Sequence, residues 1–251
     1  MKTIRMTEMT WPDIESAIGR GHTTVVVAVG STEQHGPHLP TMTDTRLGDE
    51  LAQRVAMKLG RTLQANTISV GCSEHHLAFP GTISLRPDTL RMIILDYADS
   101  LVRGGFKKII FLPLHGGNFQ TVQEAVKEAQ TALPGVEIIG VTDLRKLLGC
   151  LSSASAEFGV TPNESGGHAG ESETSIMMFL EKNLVITDRF APGYVGVTGE
   201  REFNIMLKQG MRALTENGIH GDPTKASAHK GEVYLDRLAE FLLQEIKNLS
   251  R

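Results

Sequence analysis

The 251-residue chain has little cysteine: Cys72 and Cys150 are the only two. Two thiols build no disulfide framework, so a reducing cytoplasm is the expected compartment. Basic charge is not in excess either. A formal net charge of −4 gives no footprint for nucleic acid or an acidic membrane surface. No stretch reaches the ~20 consecutive apolar residues that a membrane span needs. The first residues, Met-Lys-Thr-Ile-Arg-Met-Thr-Glu, lack the apolar core of a signal peptide. Repeats, low-complexity tracts and linkers are absent. What is present is ordinary for a globular protein, with 40% hydrophobic and 22% charged residues. The length suits one large domain, 1–251, better than two small ones.

Residues 23–29 are apolar and β-branched, which predicts a strand covered on both faces. Similar but shorter runs predict strands at 68–71, 107–114 and 137–141. Helical spacing predicts helices over 9–19, 45–59, 88–103, 119–133, 171–180, 200–216 and 231–249. Thr10 suits an N-cap with Pro12 in the first turn, Asp88 suits another N-cap, and Gly60 suits a helix end. Residues 150–167 are small and polar and read as an irregular loop. Buried strands alternating with helices predict an α/β fold around a mostly parallel sheet.

Ligands of such sheets sit beyond the carboxyl ends of the strands. Polar clusters fall there: Glu33, His35 and Asp44; then Ser73, Glu74, His75 and His76; then His115 with Gly116, Gly117 and Asn118. A fourth, from Gly166 to Thr174, opens a later helix. Six of the nine histidines lie in or beside these clusters, which is hard to assign to chance. Glu, His and Asp are the ligand types that divalent transition metals accept. Taken alone, each cluster also fits a polar loop with satisfied histidines. Gly116 and Gly117 allow backbone to approach a ligand closely. His-Gly-Gly-Asn has neither P-loop nor dinucleotide spacing, and no Gly-x-Ser-x-Gly elbow supports serine catalysis. Glu171 and Glu173 stand two apart in a first helical turn, so they face different ways.

Gly-Ser-Thr-Glu-Gln-His-Gly-Pro-His-Leu-Pro at 30–40, with Asp44, resembles the first metal motif of the creatininase family of amidohydrolases. Phe-Pro-Gly-Thr-Ile-Ser-Leu at 79–85, His-Gly-Gly-Asn at 115–118, His-Ala-Gly-Glu-Ser-Glu-Thr-Ser at 168–175 and Gly-Asp-Pro-Thr-Lys-Ala at 221–226 are similar to its later blocks, in the same order. The resemblance implies a three-layer α/β/α sandwich and two divalent metal ions, Zn2+ or Mn2+ with Fe2+ a further option. It also implies a homo-oligomer, a hexamer built as a trimer of dimers. It implies that Glu33 and His115 bind one ion, that His35 binds the other and that Asp44 bridges them. Ser73 and His168 are implied to face substrate. Creatininase has a tyrosine and a metal-binding glutamate where this chain has Gly116 and Gly117. Its substrate site also uses tryptophans, whereas Trp11 is the only one here and lies far from every cluster.

These departures argue against creatinine itself. They also leave one ligand missing, for which Glu171 is the expected replacement, with Glu173 behind it. The expected activity is metal-dependent hydrolysis of an amide or cyclic amide in a small polar metabolite. His168 is the candidate general acid and Glu173 a proton relay. The rival activities keep the metals and change the bond: deformylation of a pyrimidine nucleotide, or opening of a sugar-derived cyclic diketone. A metal-binding protein without turnover is the non-enzymatic alternative.

Overall fold

The computed structural model describes residues 2–250. Four parallel strands form the central sheet in the order β2-β1-β3-β4: β1 Thr24–Val29, β2 Thr62–Gln64, β3 Lys108–Pro113 and β4 Glu137–Gly140. Parallel neighbours need crossover connections, and helices supply them. In chain order the helices are α1 Trp11–Gly19, α2 Thr43–Leu59, α3 Pro87–Arg103, α4 Phe119–Ala132, α5 Leu144–Ala156, α6 Pro162–Ser165, α7 Glu171–Leu180, α8 Glu200–Gln209, α9 Met211–Leu214 and α10 Ala228–Leu249.

Successive residues of a strand point to opposite faces, and β1 shows the consequence. Val26 and Ala28 join Leu51 of α2, Leu151 of α5 and Leu238 of α10 on one side. Val25, Val27 and Val29 join Ala17 of α1, Ile94 of α3 and Val122 of α4 on the other. Both faces are covered, which makes the expected three-layer α/β/α sandwich.

The expected strand at 68–71 is not one. The edge strand is β2, and Ile68 makes only an isolated bridge to Val29. The expected loop at 150–167 is largely helical, because Leu147, Leu151 and Ala154 of α5 are buried against the sheet. The helix expected over 200–216 breaks into α8 and α9 at Gly210, whose φ is +90°. Asp88 falls inside the first turn of α3, after Arg86 at the N-cap.

Strand order reverses between β1 and β3, where α2 leaves toward one face and α3 returns on the other. Such a switch point opens a crevice at the carboxyl ends of the two strands. Asn118 fastens that crevice. Its Oδ1 accepts from Cys72 N at 2.9 Å, and its Nδ2 donates to Gly30 O at 2.8 Å. Among the described residues no helix is long and apolar enough to cross a membrane.

Candidate metal centre

The loop after β1 delivers Glu33 and His35, the first turn of α2 delivers Asp44, and the end of β3 delivers His115. Four side chains from 33 to 115 thereby meet in one buried place. His35 Nε2 is 3.1 Å from Asp44 Oδ1, and His115 Nδ1 is 3.1 Å from Asp44 Oδ2 and 3.2 Å from Glu33 Oε1. Asp44 therefore stands between the two imidazoles, one oxygen toward each. Ser31 Oγ also donates to Asp44 Oδ2, at 2.8 Å.

His168, just before α7, brings Nδ1 to 3.6 Å from Glu33 Oε1. Glu173, in the first turn of α7, brings Oε2 to 3.8 Å from His35 Nε2. Its other anchor is Ala169 N, which donates to Oε2 at 2.6 Å. Ala169 adopts a left-handed φ of +52°, a conformation that costs a non-glycine residue about 1–2 kcal/mol. Three sets of side chains bring ligand atoms within 4.8 Å of one another: Glu33, His35 and Asp44; His35, His168 and Glu173; and Glu33, His76 and His168.

The far nitrogens of the histidines sort their roles. His35 Nδ1 donates to Glu33 O at 3.1 Å, His115 Nε2 to Cys72 O at 3.1 Å, and His168 Nε2 to Gln34 O at 2.7 Å. A carbonyl can only accept, so in each neutral ring the nitrogen facing the cluster carries a lone pair. An N–H held by a carbonyl on the far side is the habit of metal-binding histidines. His76 is the reverse. Gln34 Oε1 accepts from Gly36 N, so Gln34 Nε2 donates to His76 Nδ1 at 2.8 Å. The His76 proton then lies on Nε2, facing Glu33 Oε1 at 3.5 Å. Gln34 was not expected at the centre, and His76, expected in the second polar cluster, carried no assigned role. Gln34 sits between two ligand-type residues, where an alternating extended chain points it away.

Charge is concentrated and unsatisfied here. Burial alone would raise the Glu33 and Asp44 carboxyls. The charge of His115 holds Glu33 below the usual range, and His35 and His115 together hold Asp44 well below it. Burial would depress His35 and His115, but Asp44 lifts His35 to about 10 and Glu33 lifts His115 well above normal. Burial pushes Glu173 up to about 7 against the pull of His35. His168 is held well below the ordinary histidine range by burial and by His35. Glu33 is fully buried, and neither carboxylate oxygen accepts a hydrogen bond. A buried carboxylate left that way is costly unless a cation compensates it.

Two expected residues lie elsewhere. Glu171 does not reach the cluster: its oxygens accept from Tyr234 Oη at 3.0 and 3.2 Å and from Ser175 Oγ at 2.8 Å, with Lys230 Nζ 3.3 Å away. The rotation of α7 puts Glu173 in the position expected of Glu171. Ser73 is fully buried behind His115, 3.4 Å from Nε2, and does not line the adjoining chamber. Gly116 and Gly117 do line it. A Cβ on Gly117 would stand 2.1 Å from Cys72 O, so no carboxylate side chain fits this backbone there.

The fold and the centre define a class, and sequence comparison gives it a name. The family model described as creatinine amidohydrolase matches residues 7–246. The chain belongs to the creatininase family. It is 31% identical over 233 residues to the mycofactocin precursor peptide peptidase of Mycobacterium ulcerans (strain Agy99), covering 88% of this chain and 79% of that protein. It is 28% identical over 200 residues to the creatinine amidohydrolase of Pseudomonas putida, covering 75% and 76%. A crystal structure of creatinine amidohydrolase (creatininase) superposes with a TM-score of 0.84 at 22% identity, covering 99% of this chain and 98% of that one. At that identity the superposition speaks for the fold alone.

Proposed function

We propose that this protein is a hydrolase that uses two divalent ions, zinc or manganese, to cleave a C–N amide bond. One observation carries the reading: Glu33, fully buried, with neither oxygen accepting a hydrogen bond and three imidazole nitrogens 3.2–3.6 Å from Oε1. The donor set fits such ions. Glu33 and His115 would hold one and His35 the other, Asp44 would serve both, and Glu173, 3.8 Å from His35 Nε2, would stand beside them as a free carboxyl. His168 Nδ1 offers a further lone pair between them. When bound, divalent ions supply Lewis acidity and acidify a water toward neutral pH.

The chain's own groups do the rest. Asp44 fixes the spacing of the two halves, because its two oxygens already face two different histidines. His35, His115 and His168 are locked in orientation by backbone carbonyls, so no reorganisation is needed on binding. Glu173 reaches the chamber wall, and with no ion bound burial lifts its carboxyl to about 7; as a carboxylate beside the ions it suits a group that takes a proton from water and hands it to the leaving nitrogen. His168 has no second proton to give, so the acid role passes from it to Glu173. Gly116 and Gly117 present bare backbone to the substrate.

Amide hydrolysis is the chemistry shared by the names of the relatives above, one a peptidase and one an amidohydrolase. The test has two parts. Metal loading followed by mass spectrometry should find about two equivalents of zinc or manganese per chain. The loaded enzyme, offered hydantoins, formamides and short peptides, should release an amine from at least one, and chelation should stop it. A chain that takes up no metal, or turnover that survives chelation, would overturn the proposal.

A further inference from the structure

The chamber beside the centre has a volume of about 200 Å3, and its walls differ in kind. Glu33, His115, His168 and Glu173 are among its ionisable lining. Its apolar lining includes Leu148 of α5 with Phe203, Met206 and Leu207 of α8. On α8 these three stand at i, i+3 and i+4, which makes one apolar face. Yet α8 buries none of its residues. Phe203 remains 46% exposed, Leu207 49% and Leu148 37%. Scattered exposed apolar side chains need no explanation. Three large ones gathered at the mouth of one chamber do.

The chamber also opens outward. A cleft of about 1130 Å3 shares Leu144, Leu148, Gly167, Thr198, Phe203 and His220 with it. That volume exceeds the ~300–1,000 Å3 typical of small-ligand sites. Its outer lining is mixed, with Arg145, Asn163 and Glu200 among apolar neighbours. A small polar ring would use neither the apolar wall nor the cleft.

We infer that the α5–α8 wall is a substrate subsite: Leu148, Phe203 and Leu207 select amides carrying a bulky apolar group next to the scissile bond, with the remainder of the substrate extended along the cleft. An extended amide of this kind, such as a peptide segment, replaces the small polar metabolite expected from sequence. The inference rests on the proposed metal-dependent activity, and its test reads binding rather than turnover.

The probes are acyl hydroxamates, whose common head chelates metal and whose tail varies. Isothermal titration would compare acetohydroxamate with 3-phenylpropionyl hydroxamate on the metal-loaded full chain. The long tail should bind about tenfold tighter or more, given ~0.8 kcal/mol per buried methylene. In Phe203→Ala combined with Leu148→Ala, the two probes should bind within about threefold of each other, with acetohydroxamate affinity and metal content unchanged. Equal affinity of the two probes for the unaltered protein would overturn the subsite and leave the metal centre standing. Failure of both probes to bind metal-loaded protein would overturn the subsite and the metal-dependent reading together. A second copy of the chain is the other occupant of this face. If the double variant changes the mass of the assembly in sedimentation and keeps the tail preference, the face is a subunit interface and the subsite is refuted.

Discussion

Two regions on opposite sides of α7 handle the same problem in opposite ways. Behind the helix, Glu171 is fully buried and fully answered, by Tyr234, Ser175 and Lys230. In front of it, Glu33 is equally buried, and neither oxygen accepts a hydrogen bond. The first arrangement is a finished structural joint between α7 and α10. The second keeps two ionised carboxylates and several imidazoles crowded together, with histidine protons as the charges that answer the carboxylates. A buried carboxylate that a protein needs for its fold is surrounded by donors. On the proposed reading, one that it keeps for a metal is left short of them.

That contrast can be broken from either side. The largest effect should come at the front of the helix. Glu173→Gln keeps the shape and removes the proton-carrying group, so kcat should fall about 10²–10⁴-fold. Single-turnover kinetics with matched metal content would check it, and a loss confined to KM would deny Glu173 a part in proton transfer. Behind the helix, Tyr234→Phe removes one donor to a buried carboxylate and should cost about 1–3 kcal/mol in urea unfolding. Metal affinity should stay within about threefold. The smallest effect is graded by pH. His35, lifted to about 10, and His115, lifted well above the ordinary range, both hold protons at neutral pH when no metal is bound. A metal must displace those protons, so affinity should rise with pH and fall as the solution is acidified. Titrations at pH 6 and pH 8 in two buffers of different ionisation enthalpy would show the proton release, and equal affinities would contradict it.

Much of this was legible in the sequence. The runs at β1 and β3 are continuous and β-branched, and a strand buried on both faces leaves that mark. Glu33, His35, Asp44 and His115 could be picked out because they are ligand types placed just past those strands. β2 could not: Thr62–Gln64 is three residues long, too short to carry a period. Nor could α5, where no helix was expected: its last turns are serine and alanine, and only packing reveals their helical face.

The exchange of Glu171 and Glu173 is the most instructive miss. Spacing says that the two diverge and cannot say which one turns inward. The rotation of α7 decides it, and α10 sets that rotation by close approach. A Cβ on Gly231 would lie 2.0 Å from Ser175 O, so only glycine permits the contact. The tautomers of His76 and His168 were hidden for a related reason: that of His76 depends on the Gln34 side-chain amide, oriented by Gly36 N and Gly218 O, and that of His168 on the Gln34 main-chain carbonyl.

The most direct test of the contrast is a zinc and manganese titration of two isosteric variants, Glu33→Gln and Glu171→Gln, alongside the unaltered protein. Glu33→Gln should weaken the metal whose ligand it removes by about 100-fold or more, beyond the ~10–100-fold typical of supporting residues, while the variant stays folded by circular dichroism. Glu171→Gln should keep both affinities within about threefold and lose about 1–3 kcal/mol of stability. If Glu171→Gln loses metal and Glu33→Gln keeps it, the roles assigned to the two sides of α7 are reversed and the account fails.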